Sequence, residues 1–315
     1  MTCFSVVVPL FNKAEFVVDT VRSILTQEIS DLEVIVIDDG STDDGVQRLA
    51  SISDPRLKVF RQPNGGVSVA RNAGIAQARG KFISFLDADD LWAGDHLSKV
   101  EELINSDPSA IAWATGYSEM DHAQGSEGPI RQAPYAVAAS RRYDQYDFMV
   151  AWSRFPFFWT GSITVRESTL RSMQPCFPPG ERLGEDQDLW FRLSALGPIR
   201  FLDVQTTAFY RRNVSDSLTT ARVMAPLPAL LRLAQRACQM PPREKRAARQ
   251  LYGVHLLHVA WTNCLAGRRM TALRLLVQVN PSVRWFYWLR ILVCTLLPAG
   301  LVRAGLTLIR RFRAG

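Results

Sequence analysis

The sequence predicts an α/β protein: a mostly parallel sheet flanked by helices, followed by a separate helical extension. Three observations carry that prediction. Over the first 115 residues, short β-rich runs alternate with helical stretches, the pattern of βαβ units. Two of those runs, in "EVIVIDDG" and "KFISFLDADD", end in clustered acids, and open α/β sheets bind ligands beyond the carboxyl ends of their strands. Charge then divides the chain. Residues 221–315 hold sixteen Arg and Lys against one acid, Glu244, a net +15; residues 1–220 hold 21 bases and 29 acids, a net −8. The two parts face different partners.

The first strand is expected at Ser5–Pro9, because Val6-Val7-Val8 is too short for the apolar core of a signal peptide and no basic segment precedes it. Further strands are expected at Glu33–Asp38, Leu57–Phe60, Lys81–Leu86 and Ala110–Thr115. Helices are expected between them at Lys13–Gln27, Asp43–Ala50, Val67–Ala78 and Ala93–Ile104. From 116 to 160 the pattern loosens, with aromatics late in "RFPFFWTGS"; this reads as a long connection able to shape a pocket. "GEDQDLWFRLSALG" opens a helix with acids in its first turn, where the dipole favours them. A strand pair, Arg200–Asp203 and Thr207–Arg211, follows. Beyond about 220 the chain reads as helix punctuated by proline, so the expected domains are 1–218 and 219–315. Five scattered cysteines without CxxC spacing argue against a disulfide framework or structural zinc and fit a reducing compartment.

Each acidic or glycine-rich segment has two readings. "VIDDGSTDDG", residues 36–45, is an ordinary turn and cap, or else it sets Asp38 or Asp39 on the polar edge of a base or ribose. "NGGVSVARNAGIAQARG", residues 64–80, leaves backbone amides open to an anion at a helix start, with Arg71 and Asn72 one turn in. Neither GxGxxG nor GK[ST] is present, which disfavours nicotinamide and P-loop chemistry. "LDADD" either caps a helix carrying Trp92 or offers hard oxygens to Mg²⁺ or Mn²⁺. "GEDQDLW" either compensates a dipole or places a carboxylate base, with Glu185, Asp186 and Asp188 available. His255 and His258 lack a third ligand and read as packing or surface residues.

Taken in order, "VVVPLFNK", "VIDDGSTD", "NGGVSVARNAGI", "GKFISFLDADDLW" and "GEDQDLWFRL" resemble family 2 glycosyltransferases of the GT-A fold, over roughly residues 3–215. That resemblance implies a nucleotide-sugar donor, first of all a UDP-sugar, a divalent metal, a saccharide or lipid-linked acceptor, and inversion at the anomeric carbon. It implies that Pro9 and its turn line the nucleotide site, that Asp39, beside Asp38, holds uracil or ribose, and that Arg71 lies near the nucleotide. Asp87 and Asp89 resemble the acid-x-acid motif, Asp89 as metal ligand and Asp87 nearer the ribose. Asp186 resembles the catalytic base, with Glu185 the alternative; Gly161 and Trp190 would border the acceptor. Many relatives carry a histidine near the position of Asn213; here Arg211 and Arg212 are the candidates for the pyrophosphate. A sugar-1-phosphate nucleotidyltransferase would need a Gly-rich basic loop after the first strand, which "VPLFNKAEF" lacks. The remaining alternative, a catalytically silent sugar-nucleotide-binding scaffold, is opposed by the intact Asp89 and Asp186.

The tail "VRWFYWLRILVCTLLPAGLVRAGLTLIRRFRAG" has Ile291–Val302 as its longest uncharged run, short of the about 20 residues a spanning helix needs. Aromatics beside arginines fit a segment lying at the headgroups of an anionic membrane; the other reading is a helix packed on the catalytic domain. No nucleic-acid module is present. The expected location is cytoplasmic, peripheral on the inner face of the membrane.

Overall fold

The computed structural model describes residues 3–121, 131–132, 140–203, 207–212 and 224–297. The chain divides into two compact units, 1–148 with 156–218 and 149–155 with 219–315.

In the first unit, β1 (Phe4–Leu10), α1 (Val17–Leu25), β2 (Leu32–Asp38), α2 (Gly45–Leu49), β3 (Leu57–Arg61), α3 (Val67–Gln77) and β4 (Phe82–Phe85) follow the predicted alternation. Then come β5 (Leu91–Trp92), α4 (His96–Ser106), β6 (Ala112–Thr115), β7 (Ser118–Asp121), β8 (Arg131–Gln132), β9 (Ser140–Tyr143), α5 (Gln145–Arg154, assigned to the second unit from 149 onward), β10 (Ile163–Arg166), α6 (Glu167–Arg171), α7 (Glu185–Leu196), β11 (Ile199–Leu202) and β12 (Ala208–Arg212). The main sheet runs β3-β2-β1-β4-β10-β6-β11-β9, and a smaller one runs β5-β12-β7-β8. β3, β2, β1 and β4 are parallel; β10 enters antiparallel between β4 and β6.

Every residue of β1 and β2 is buried, as expected of β-branched strands covered on both faces. Register levels their carboxyl ends: Leu10 lies opposite Asp38, and Val7 opposite Phe85. α3 seats tightly on β1 because Gly74 has no side chain; a Cβ there would fall 2.2 Å from Val7 Cγ1. That seating fixes Arg71, one turn earlier.

Four expectations are corrected. Among its described residues, the 116–160 connection is more regular than expected: it carries β7, β8, β9 and α5, and its late aromatics Phe157 and Phe158 are buried in the core. Trp92 lies in β5, paired with Ala208 of β12, so α4 begins only at His96 and neither Asp89 nor Asp90 caps it. β11 and β12 are not partners: β11 sits between β6 and β9, and β12 between β5 and β7. β10, a four-residue strand, is an addition to the predicted set.

The second unit is helical: α8 (Pro228–Arg236), α9 (Pro242–Leu265), α10 (Arg269–Leu276) and α11 (Trp285–Leu296). Proline opens α8 and α9 at a position where its missing N–H costs nothing. Leu256, Leu257, Val259, Leu275, Leu276 and Ile291 form its core. His255 accepts the Leu227 amide at 3.0 Å, and burial pushes its pKa down to about 4, so it packs as a neutral side chain. Among the described residues, no helix is long and apolar enough to cross a membrane.

Candidate active site

The loop after β4 is pinned by one acid and leaves two available. Asp90 is fully buried; its Oδ1 accepts the Arg211 amide at 2.8 Å and its Oδ2 accepts Trp159 Nε1 at 3.2 Å. Thr20 Oγ1 donates to the Ala88 and Asp90 carbonyls, both at 2.9 Å. Burial, reinforced by the charges of Asp89 and Asp87, holds the Asp90 carboxyl well above the usual range. Asp87 and Asp89 are partly exposed and each meets a cation of the chain itself: Arg71 Nη2 lies 2.8 Å from Asp87 Oδ1, and Lys13 Nζ lies 2.9 Å from Asp89 Oδ2.

Arg71 is buried and reaches both ways. Its Nη1 donates to Glu185 Oε1 at 2.9 Å while its Nη2 holds Asp87, and its guanidinium lies over the Phe177 ring, 5.2 Å from the centroid. Burial disfavours the charge, but the carboxylates of Asp87 and Glu185 outweigh it and keep the pKa above the ordinary arginine value. Glu185 is therefore committed to Arg71.

Its neighbour Asp186 is placed differently. α7 starts after Gly184, which adopts a left-handed conformation at φ 74°. Asp186 Oδ1 accepts the Gln187 amide at 2.7 Å, and Oδ2 accepts Thr160 Oγ1 at 3.2 Å. Burial chiefly, then the Glu185 charge, raises its pKa to about 6, against the opposing pull of Arg71. Such a carboxylate is ionised at neutral pH yet basic enough to take a proton.

Asp38 and Asp39 are buried beneath the loops they organise. Asp39 Oδ1 accepts Gln62 Nε2 at 2.7 Å and the Gly65 amide at 2.9 Å; Oδ2 accepts the Gly66 amide at 2.7 Å. Gly66, at φ +87°, supplies the bend that turns these amides inward. The amides expected to be open to an anion already have one. Asp38 accepts the Ser41 amide at 2.9 Å and lies 3.1 Å from Arg61 Nε.

Several expected contacts lie deeper than the sequence suggested. Pro9 is buried within β1, and the exposed residues of its turn are Phe11 and Asn12. Gly161 is buried: its carbonyl accepts Trp92 Nε1 at 2.7 Å, and a Cβ there would fall 2.6 Å from the Trp159 ring. Trp190 is fully buried, edge-on to Phe158 and Phe177, where it supports α7 from within the core. Thr160, beside Gly161, is the residue of that segment that reaches Asp186. Arg211 lies over the Phe16 ring and Arg212 pairs with Glu119 at 2.9 Å; Asn213 is outside the described residues. Lys13 and Thr160 were missed. A lone lysine just after the first strand was the available signal for Lys13.

Asp87 and Asp89 suit a divalent cation by donor type, being hard oxygens that already attract positive charge. Among the described residues no group of three or more His, Cys, Asp or Glu side chains could hold a metal. A pair of carboxylates with water or phosphate oxygens completing the shell is the usual arrangement for Mg²⁺.

Residues 5–168 match the profile of the family described as Glycosyl transferase family 2. A glycosyltransferase of Rickettsia conorii is 30% identical over 204 residues, 64% of this chain but 32% of its own. The chain thus spans about a third of the length of the first curated relatives it matches. TarS of S. aureus, residues 1–349 in complex with UDP-GlcNAc, superposes with a TM-score of 0.68 at 20% identity, over 89% of this chain and 82% of that one. The mannosyltransferase PcManGT from Pyrobaculum calidifontis, in complex with GDP-Man and Mn²⁺, gives 0.58 at 19% identity, over 97% and 79%. At these identities the likeness to the solved structures is one of fold, and the expected GT-A-type sheet flanked by helices is met.

Proposed function

The chain belongs to glycosyl transferase family 2, and from that premise we propose that it moves a sugar, with inversion, from a nucleoside-diphosphate sugar to a saccharide or lipid-linked acceptor. UDP-sugar is the preferred donor class. The observation that carries the reading is Arg71, one guanidinium in contact with both Asp87 and Glu185. It sets the acid loop and the start of α7 on either side of a single side chain.

Asp89, with Asp87, would hold a divalent cation, which would act as a Lewis acid on the departing diphosphate; PcManGT was solved with Mn²⁺. Lys13, which holds Asp89, is the side chain that must give way. Asp186 takes the proton of the attacking hydroxyl. The Gln187 amide and Thr160 hydroxyl each hold one of its oxygens and so fix the carboxylate plane. Asp90 keeps the loop rigid and touches no reactant. Asp38 and Asp39 shape the nucleotide end through the loops they fasten. The basic helical extension faces an anionic membrane on its cytoplasmic side.

Asp186→Asn should abolish transfer, a loss of about 10²–10⁴-fold or more, while calorimetry still detects donor binding. Near-normal turnover in that variant would place the base elsewhere. A calorimetric screen of nucleotide-sugars with Mn²⁺ identifies the donor.

A further inference from the structure

α11 is apolar on two sides. Its inward side packs on α9 and α10: Ile291 and Thr295 are buried, and Trp288 Nε1 donates to the Leu276 carbonyl at 3.1 Å. Its outward side exposes Trp285, Phe286, Leu289, Val293, Leu296 and Leu297, with Phe286 at 73% and Leu296 at 67%. Intervals of one, three and four keep the first five on one face at 3.6 residues per turn, and Leu297 follows as the C-cap. Large apolar side chains scattered singly on a surface need no explanation; a stripe along a whole helix does.

The border of the stripe is basic. Arg284 precedes it, exposed, with Nη2 donating to the Ser153 carbonyl at 2.9 Å, and Arg290 lies on its edge, exposed, with its guanidinium 4.7 Å above the Trp261 ring. Arg269 of α10 donates to the Leu297 carbonyl at the end of the stripe, and α10 also carries exposed Arg274 and Met270. Residues 224–297 contain eleven Arg or Lys and a single acid, Glu244, which lies on α9 and not on α10 or α11. Twelve helical residues reach about 18 Å, well short of a hydrocarbon core of about 30 Å. A helix of that length, apolar outward and edged with arginine, suits the plane of an anionic interface.

We propose that the outward face of α11 is the surface by which this chain docks on an anionic phospholipid bilayer. Trp285, Phe286, Leu289, Val293 and Leu296 enter the acyl boundary, and the flanking arginines meet lipid phosphates. The proposal rests on the reading that the extension faces a membrane, and it names the residues that do so. It also narrows the contact from the whole expected tail, 283–315, to one face of α11 that begins at Trp285.

The test is flotation of the full-length protein with phosphatidylglycerol-containing vesicles and with pure phosphatidylcholine vesicles. The wild type should float with the first and only weakly with the second, and about 0.5 M salt should weaken binding. Combined Phe286→Glu, Leu289→Glu and Val293→Glu should lower binding roughly tenfold or more with an unchanged melting temperature. Phe286→Ala with Leu289→Ala removes apolar area without adding charge and should weaken binding in the same direction. A wild type that ignores anionic vesicles overturns the membrane reading itself. Variants that float as well as the wild type overturn this face alone. Variants that melt lower but float normally place the stripe under the chain's own residues 298–315. Variants that lose a dimer by light scattering but still float place it against a second copy. Either of those last two results also overturns the assignment.

Discussion

The loops after β2 and β4 look alike in sequence: each ends a buried strand with acids at its carboxyl edge. Their carboxylates are satisfied in opposite ways. Asp39 is surrounded by backbone amides of Gly65 and Gly66 and the neutral amide of Gln62, all within 2.9 Å. Asp87 and Asp89 have no such cradle and are held by the side-chain cations of Arg71 and Lys13. Fixed dipoles belong to the fold and cannot be exchanged without dismantling a loop. A flexible ammonium can leave when a better cation arrives. On the proposed function, the difference separates an acid that builds the site from one that works in it.

That comparison breaks most visibly at Asp89. Asp89→Ala should remove Mn²⁺-dependent donor binding, a loss of at least about 100-fold, since one of the two carboxylates proposed to hold the metal is gone. Its melting temperature should stay close to wild type, because a partly exposed ion pair contributes only about 0–1 kcal/mol. Calorimetry with and without chelator reads the first result and a thermal melt the second. A large fall in melting temperature would show Asp89 to be as structural as Asp39.

A second test uses a third kind of acid, Asp186, whose burial lifts its pKa to about 6. Above that pH the carboxylate is ionised and can accept a proton; below it the group is already protonated. The transfer rate should therefore be flat above about 7 and fall approximately tenfold per unit well below 6. Asp186→Glu should retain some activity and shift the inflection, whereas a rate independent of pH from 5 to 8 would remove Asp186 from the proton transfer.

Asp39→Ala should behave in the reverse sense to Asp89→Ala. Losing charge-assisted bonds to two amides costs about 1–3 kcal/mol, a fall of roughly 3–10 °C for a unit of this size. Mn²⁺ binding in the absence of nucleotide should be little changed. If Asp39→Ala instead abolished metal binding and left the melt untouched, the two loops would have exchanged roles.

Much of this was legible in advance, and what was not has a common cause. The strands β1 to β4 and the helices between them could be read because β-branched runs and helical periodicity are local properties. The acids could be read because they cluster within a few residues. Their partners could not. Arg71 and Glu185 are 114 residues apart, and nothing near either one announces the other. Trp190 was placed at the acceptor by the family resemblance alone, and it is among the most buried side chains, on the inward side of α7 with Leu189 and Leu193. β11 and β12 were found as strands and mistaken for a pair, since adjacency in sequence says nothing about which of two sheets a strand joins. β10, only four residues long and antiparallel among parallel neighbours, carries too short a pattern to stand out.

Lys13 supplies the smallest and most discriminating effect. Its ammonium lies 2.9 Å from the carboxylate assigned to the metal, so in the unliganded protein it competes with any divalent ion for Asp89. Lys13→Met keeps most of the side-chain volume and removes the charge. With the competitor gone, Mn²⁺ affinity measured without donor should rise by roughly two- to fivefold, the range a partly exposed ion pair of up to about 1 kcal/mol allows. If the same ammonium passes to the donor's diphosphate once the metal has taken Asp89, the variant should also raise the donor KM. Tighter metal with weaker donor is a combination that simple damage to the loop does not produce, since damage weakens both. Unchanged Mn²⁺ affinity in Lys13→Met would mean that the pair is incidental and that cation exchange at Asp89 is not how this loop differs from its neighbour.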